Sequence, residues 1–152
     1  MNNKNKRKQL PPTFLFLSLL IMVGCHFICP VDEIIPFPWN LTGLLLLLAG
    51  IILNLIADNA FKKFNTTVKP FEESSFLVTN GAFKICRHPM YLGMVFILLG
   101  LAVLLGSLTV YIVIPAFAFI MDCLFIRIEE KMLEDKFGLF WKSYRKKVRR
   151  WI

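Results

Sequence analysis

Residues 90–126 form one apolar run of 37 residues in which Asp122 is the only charged side chain. As a single helix this run would reach roughly 55 Å, against a bilayer hydrocarbon core of about 30 Å. It must therefore fold back, and Gly106-Ser107 is the natural corner. Two further apolar runs, residues 13–29 and 41–57, hold 17 residues each, the lower limit for a spanning helix. The expected fold is an all-α integral membrane protein, a single domain over residues 1–152. Its four transmembrane helices fall near residues 13–29, 41–57, 90–106 and 109–126. A hydrophobic fraction of 57% is too high for an ordinary soluble domain.

The net charge of +8 invites a nucleic-acid reading, but its placement argues against one. Of the 18 Lys and Arg, four precede the first run, five lie in residues 58–90 and nine follow residue 126. The other two connections, residues 30–40 and 106–109, carry none. Four spans with both termini in the cytoplasm put every basic residue inside, as the positive-inside rule asks. Membrane lipids, not nucleic acid, are the expected partner of this charge. The four Cys read as small hydrophobes in helices rather than a disulfide framework, and no metal is expected. Met22-Val23-Gly24-Cys25 faintly resembles a lipoprotein cleavage site, but the first run is needed for the topology and reads as an uncleaved anchor.

Gly43, Gly50 and Ala57 recur every seven residues along the second run, and Gly93, Gly100 and Ser107 do so along the third. In lipid, small residues on one face let helix backbones approach closely, so these two stripes are expected in helix contacts, with each other the natural pairing. Pro115 should kink the fourth span. Asp122, near that span's inner end, either faces the bundle or snorkels to the interface. Residues 58–90 first continue the second helix and then become extended around Asn65-Thr66-Thr67-Val68-Lys69-Pro70. The segment ends in a turn at Asn80-Gly81. Residues 127–137 read as a helix stopped by Gly138. Beyond it Phe140, Tyr144, Val148 and Trp151 recur at helical spacing among basic residues, as in an interfacial amphipathic helix facing anionic lipid.

Arg87-His88-Pro89 stands where a polar segment meets the third apolar run. Proline suits the first turn of a helix, so Pro89 should open the span with Arg87 and His88 at its mouth. Unpaired N–H groups and the helix dipole make such a mouth receptive to anionic groups. Folding back at Gly106-Ser107 makes the third and fourth spans antiparallel neighbours and carries Glu129-Glu130 toward this mouth. A cation, an imidazole, a phenol (Tyr91) and paired carboxylates would then share one cleft. The set suits a zwitterionic or cationic cofactor, with carboxylates for an ammonium or sulfonium and Arg87 for a carboxylate. A plain juxtamembrane belt of ion pairs is the alternative.

Thr66-Thr67-Val68-Lys69-Pro70, Leu77-Val78-Thr79-Asn80-Gly81-Ala82-Phe83 and Arg87-His88-Pro89-Met90-Tyr91-Leu92-Gly93 resemble, in this order, the isoprenylcysteine carboxyl methyltransferase and phospholipid methyltransferase superfamily. Glu129-Glu130, Phe137-Gly138, Tyr144 and Val148-Arg149-Arg150 continue the pattern, so the likeness runs from about Phe61 to the C-terminus. The resemblance implies an integral membrane enzyme that moves a methyl group from S-adenosylmethionine to a membrane-embedded or lipid-like acceptor at the cytoplasmic face. It implies a cofactor-binding region at about residues 65–93 and 127–138. The cofactor contacts implied are Ser75, Phe76, Leu77 and Val78, the aromatic Phe83, the run His88, Pro89, Met90 and Tyr91, and Glu129 or Glu130. The aromatic is usually Tyr in that family; Phe83 keeps the ring and lacks the hydroxyl. Arg127 is the candidate contact for the acceptor. The chain lacks the extra N-terminal spans of the eukaryotic prenyl-protein enzymes and looks like a compact member of a bacterial inner membrane. A nicotinamide-dependent membrane reductase of the related sterol reductase type and a non-enzymatic membrane protein are the competing readings.

Overall fold

The structure is a computed structural model that describes residues 10–28, 33–64 and 76–151. It is helical throughout these residues, with two isolated β-bridges and no strand among them. In chain order the helices are α1 (Pro11–Ile28), α2 (Gly43–Lys63), α3 (Pro89–Leu105), α4 (Val113–Met121), α5 (Arg127–Phe137) and α6 (Leu139–Lys147). Short 3-10 turns precede α2, α3 and α4, and a π-helical segment, Asp122–Ile126, joins α4 to α5. Three helical stretches are long and apolar enough to cross a membrane: Pro11–Ile28, Trp39–Lys63 and Leu108–Phe137. Pro89–Leu105 is apolar but shorter.

α3 is the centre of the bundle and touches α1, α2 and α4. Its most extensive contact is with α2, and the sequence shows why. The buried residues of α2 are Gly43, Gly50 and Ala57, the small stripe and nothing larger. A methyl group added at Gly50 would sit 2.5 Å from the Gly93 carbonyl oxygen, and one at Gly100 would sit 2.7 Å from that of Gly43. The two backbones therefore touch where the side chains are absent, and the large apolar residues of α2 point outward, as they must in lipid. Ser107 is not part of this seam. It lies past the end of α3, where it is buried and bridged to Glu33.

The corner is where it was expected. α3 ends at Leu105, and Gly106 takes φ 67°, a left-handed conformation open to glycine, while its N–H closes on the Ala102 carbonyl. The segment between α1 and α2 seals the corner: Ile34 N–H donates to Gly106 O at 2.8 Å, and Asn40 Nδ2 donates to Leu104 O at 3.2 Å. On the inner side of this corner Met22, Leu98, Ala102, Val110, Phe117 and Met121 belong to a buried core shared by α1, α3 and α4.

The fourth helical stretch departs from a regular span. A 3-10 turn, Leu108–Ile112, gives way to α-helix two residues before Pro115; proline has no N–H to close a bond onto the preceding turn. The stretch widens to a π-helix at Asp122–Ile126 and runs without a break into α5, so the polar helix of residues 127–137 continues the apolar one. α2 runs on past the apolar run to Lys63, the expected continuation of the second helix. The expected extension around residues 65–70 lies outside the described residues. Gly81 does make the turn, at φ 63°.

The C-terminal helix packs on a different face from the one its spacing suggested. α6 ends at Lys147 and Val148 is extended, so Val148 and Trp151 lie off the helix. Trp141 and Tyr144 are buried against the protein, whereas Leu139 and Phe140 are 85% and 78% exposed. The cause is Gly138, at φ 50°: it breaks the chain between α5 and α6 and sets a rotation that turns the bulky indole inward. The basic residues are not all a lipid-facing surface either. Lys142 and Arg145 pair with Glu134 of α5, each at 3.5 Å.

Candidate functional site

Pro89 occupies the first turn of α3, as expected, and His88 caps it outside the helical region at φ −127°, ψ 62°. A residue before proline is pushed out of the α conformation. The backbone therefore turns at His88, and the first helical bond runs from Leu92 N–H to His88 O. Tyr91 follows His88 by three residues, which puts phenol and imidazole on one face; their ring centroids are 5.9 Å apart.

Against this face α5 presents its paired carboxylates, and the two are used differently. Glu130 is buried and fully engaged. Its Oε1 lies 2.8 Å from Arg87 Nη1 and 3.3 Å from His88 Nε2, and accepts from Arg150 Nε at 3.2 Å. Its Oε2 accepts from Arg150 Nη2 at 2.6 Å, completing a bidentate pair. Glu129 is 23% exposed. Its Oε1 accepts from the Tyr91 hydroxyl at 2.6 Å. Its Oε2 faces His88 Nδ1 at 3.6 Å, too long for a hydrogen bond. Among the described residues Glu129 thus keeps one oxygen open.

Arg87 is 8% exposed and lies with its guanidinium carbon 5.6 Å from the centre of the Trp141 ring. Burial pulls its guanidinium below the ordinary Arg range, and the Glu130 carboxylate opposes the shift. Neither its Nε nor its Nη1 has a hydrogen-bond acceptor among the described residues, Nη1 meeting Glu130 only as an ion pair. Cys86 beside it is buried, which pushes the thiol up, while a backbone bond from His88 works against this.

The third wall was not foreseen. Residues 148–151 leave α6 and run back along the approach to α3: Arg149 forms a parallel bridge with Cys86 and accepts the Arg87 N–H at 3.0 Å. This delivers Arg150 to the site, where it spans Glu130 and Asp122, its Nη1 donating to Asp122 Oδ1 at 2.8 Å. Those carboxylate contacts, the Glu130 hydrogen bonds foremost, hold the Arg150 guanidinium above its usual range. Asp122, left between two readings by the sequence, faces this cluster from the π-helical segment. It also accepts from Arg127 Nε at 2.8 Å. Tyr144 ties α6 to the turn before α3 through its hydroxyl, which donates to Phe83 O at 2.6 Å; burial pushes this phenol up, with Cys86 adding to it.

The expected site residues therefore fall into groups. His88, Pro89, Tyr91, Glu129 and Glu130 meet at the mouth of α3. Val78 and Phe83 form a small apolar cluster with Ala57, against which Met90 and Phe61 pack. Phe76 stacks on Phe64 at 4.8 Å, and Leu77 is partly buried. Ser75 lies outside the described residues. Arg127 is not drawn to the carboxylate pair: it is 62% exposed and held by Asp122. Arg150 and Trp141 were missed. Val148-Arg149-Arg150 was visible as a motif, but reading it as helix pointed it at lipid.

Residues 39–139 match the family model for phospholipid methyltransferase. A protein of Haemophilus influenzae, itself uncharacterised, is 36% identical over 63 residues, covering 41% of this chain and 100% of that protein. Among solved structures, the eukaryotic intramembrane Ras methyltransferase, isoprenylcysteine carboxyl methyltransferase, superposes with a TM-score of 0.66 at 23% identity. The match covers 100% of this chain and 53% of that structure, so the chain spans about half the length of the protein whose fold it shares.

Proposed function

The chain belongs to the phospholipid methyltransferase family, and from that premise we propose that it transfers a methyl group from S-adenosylmethionine to a lipid-like acceptor in the membrane. When bound, the cofactor would supply an electrophilic methyl on a sulfonium, with its own leaving group. What the protein must do is bind, orient and exclude water.

The observation that carries the reading is the pairing of a carboxylate and a buried guanidinium, both incompletely hydrogen-bonded among the described residues, at the mouth of α3. Among the described residues Glu129 Oε2 has His88 Nδ1 at 3.6 Å and no hydrogen-bond donor, and the buried Arg87 Nε and Nη1 have no hydrogen-bond acceptor. An amino-acid group with an ammonium and a carboxylate answers both, and S-adenosylmethionine carries one. Tyr91 and His88 hold Glu129 in place. The apolar cluster of Val78, Phe83 and Met90 offers a ring and aliphatic surface to the rest of the cofactor, with Phe76 and Leu77 adjoining it in sequence. Arg127, exposed at the same end of the bundle, is the proposed contact for the acceptor headgroup. The arrangement of Lys and Arg supports four spans, both termini in the cytoplasm and a site at the inner face, in one domain.

The test is thermal unfolding of the detergent-purified protein with S-adenosylmethionine, S-adenosylhomocysteine or NADPH. The first two should raise the midpoint and NADPH should not. Stabilisation by NADPH alone, or by none of the three, would overturn the proposal. Labelled cofactor incubated with native membranes then identifies the acceptor as the lipid that gains the label.

A further inference from the structure

We infer that Arg150 is a positioning residue of this site: by clamping both oxygens of Glu130, it reserves Glu129 as the carboxylate that receives the cofactor's cationic group. The inference rests on the methyltransferase reading and deepens it. Two adjacent carboxylates share one imidazole, with His88 Nε2 at 3.3 Å from Glu130 and Nδ1 at 3.6 Å from Glu129. Left to themselves they would compete for it. Arg150 resolves the competition with a fork of two bonds to Glu130, and its remaining nitrogen anchors on Asp122.

The backbone shows that this reach is built into the fold. α6 stops at Lys147, and Val148 turns extended at φ −120°, ψ 131°. The bond from Arg87 N–H to Arg149 O then fixes the next residue over the carboxylates. Trp151, just beyond, packs against the main core, so Arg150 is pinned on both sides. A lysine could supply charge at this position but not the planar fork.

The experiment measures binding of tritiated S-adenosylmethionine to the full chain in detergent, with circular dichroism and an unliganded unfolding midpoint for every variant. Loss of a bidentate charged contact predicts that Arg150→Ala binds about tenfold to a hundredfold more weakly while retaining its helical signal. Arg150→Lys should fall between it and the parent, and carries the test if the alanine variant does not fold. Glu129→Gln should lose binding. The deciding variant is Arg150→Ala combined with Glu130→Gln: with no second carboxylate to compete, affinity should recover to within a few-fold of the parent. Arg145→Ala, which breaks only an exposed pair with Glu134, should bind like the parent. Arg150→Ala or Arg150→Lys with unaltered affinity, a double variant no better than Arg150→Ala, or binding that survives in Glu129→Gln would each overturn the assignment of Arg150 and leave the methyltransferase reading standing. No binding by the parent chain would overturn both.

Discussion

Replacing Gly100 by alanine tests the seam that holds the bundle together. The added methyl would lie 2.6 Å from Leu47 N, 2.7 Å from Gly43 O and 2.8 Å from Leu47 Cβ. Comfortable contacts of this kind need about 3.5 Å or more, so α2 and α3 must part by roughly 1 Å along this stretch. Two of the three obstacles are main-chain atoms, which cannot rotate aside. Overpacking of this kind costs about 1–3 kcal/mol, and the rigidity places it in the upper half. Alanine returns about 1 kcal/mol through its helix propensity. The net expectation is a loss of about 1–2 kcal/mol, or roughly 5- to 30-fold in the unfolding equilibrium. Gly24, inside α1, is the control, because an added methyl there meets nothing within 4 Å; Gly24→Ala should gain up to about 1 kcal/mol. Reversible unfolding in mixed micelles, followed by circular dichroism, measures both. If Gly100→Ala proves as stable as the parent while Gly24→Ala gains, the close backbone approach is wrong.

Two further outcomes concern the end of the bundle at the mouth of α3. Tyr144→Phe removes the buried bond to the Phe83 carbonyl and should cost about 1–3 kcal/mol, because the carbonyl is left without its partner. Amide exchange in residues 81–86 should quicken, and unchanged exchange there would show that the bond does not hold this turn. Cys86 is buried with its thiol pushed up, so a maleimide applied at pH 7.5 should leave it unmodified until the protein is unfolded. Peptide mapping reads this directly, and modification of the folded protein would contradict the burial.

What could be read from the sequence was what short-range rules control. A run of 37 apolar residues has to turn, Pro89 has to begin a helix and Gly106 has to end one. Small residues every seventh position pack against each other in lipid. The meeting of Glu129 and Glu130 with His88 and Tyr91 followed from the hairpin, since antiparallel arms of comparable length from one corner bring their far ends together. The path of residues 148–151 was not legible, because no Gly or Pro marks the end of α6. The helix stops where its backbone finds the Cys86-Arg87 edge, a partner some 60 residues away in sequence. Phe140, Tyr144, Val148 and Trp151 keep a helical rhythm through that point, so local periodicity continued a helix that tertiary contact ends. The division of labour within Glu129-Glu130 was hidden for the same reason. The two side chains are chemically identical, and it is Arg150 that distinguishes them.

The energetics of the cluster favour a functional reason for it. Ion pairs taken out of water recover only part of their desolvation cost, and replacing them with packed apolar groups is often neutral or stabilising. Here Arg87 and Glu130 are buried, and His88 lies against them. Arg150 and Asp122 are also largely removed from solvent. All of this stands at the end of helices whose stability needs none of it, since the α2–α3 seam and the core of α1, α3 and α4 are apolar. The polarity is moreover incomplete. Among the described residues Glu129 retains an open oxygen and Arg87 has no hydrogen-bond acceptor for Nε or Nη1, whereas a network serving stability alone gains most when every partner is satisfied. A set of groups that costs stability, with Arg87 and Trp141 nitrogens left without hydrogen-bond acceptors among the described residues, is better explained by a role in binding than by a role in holding the fold.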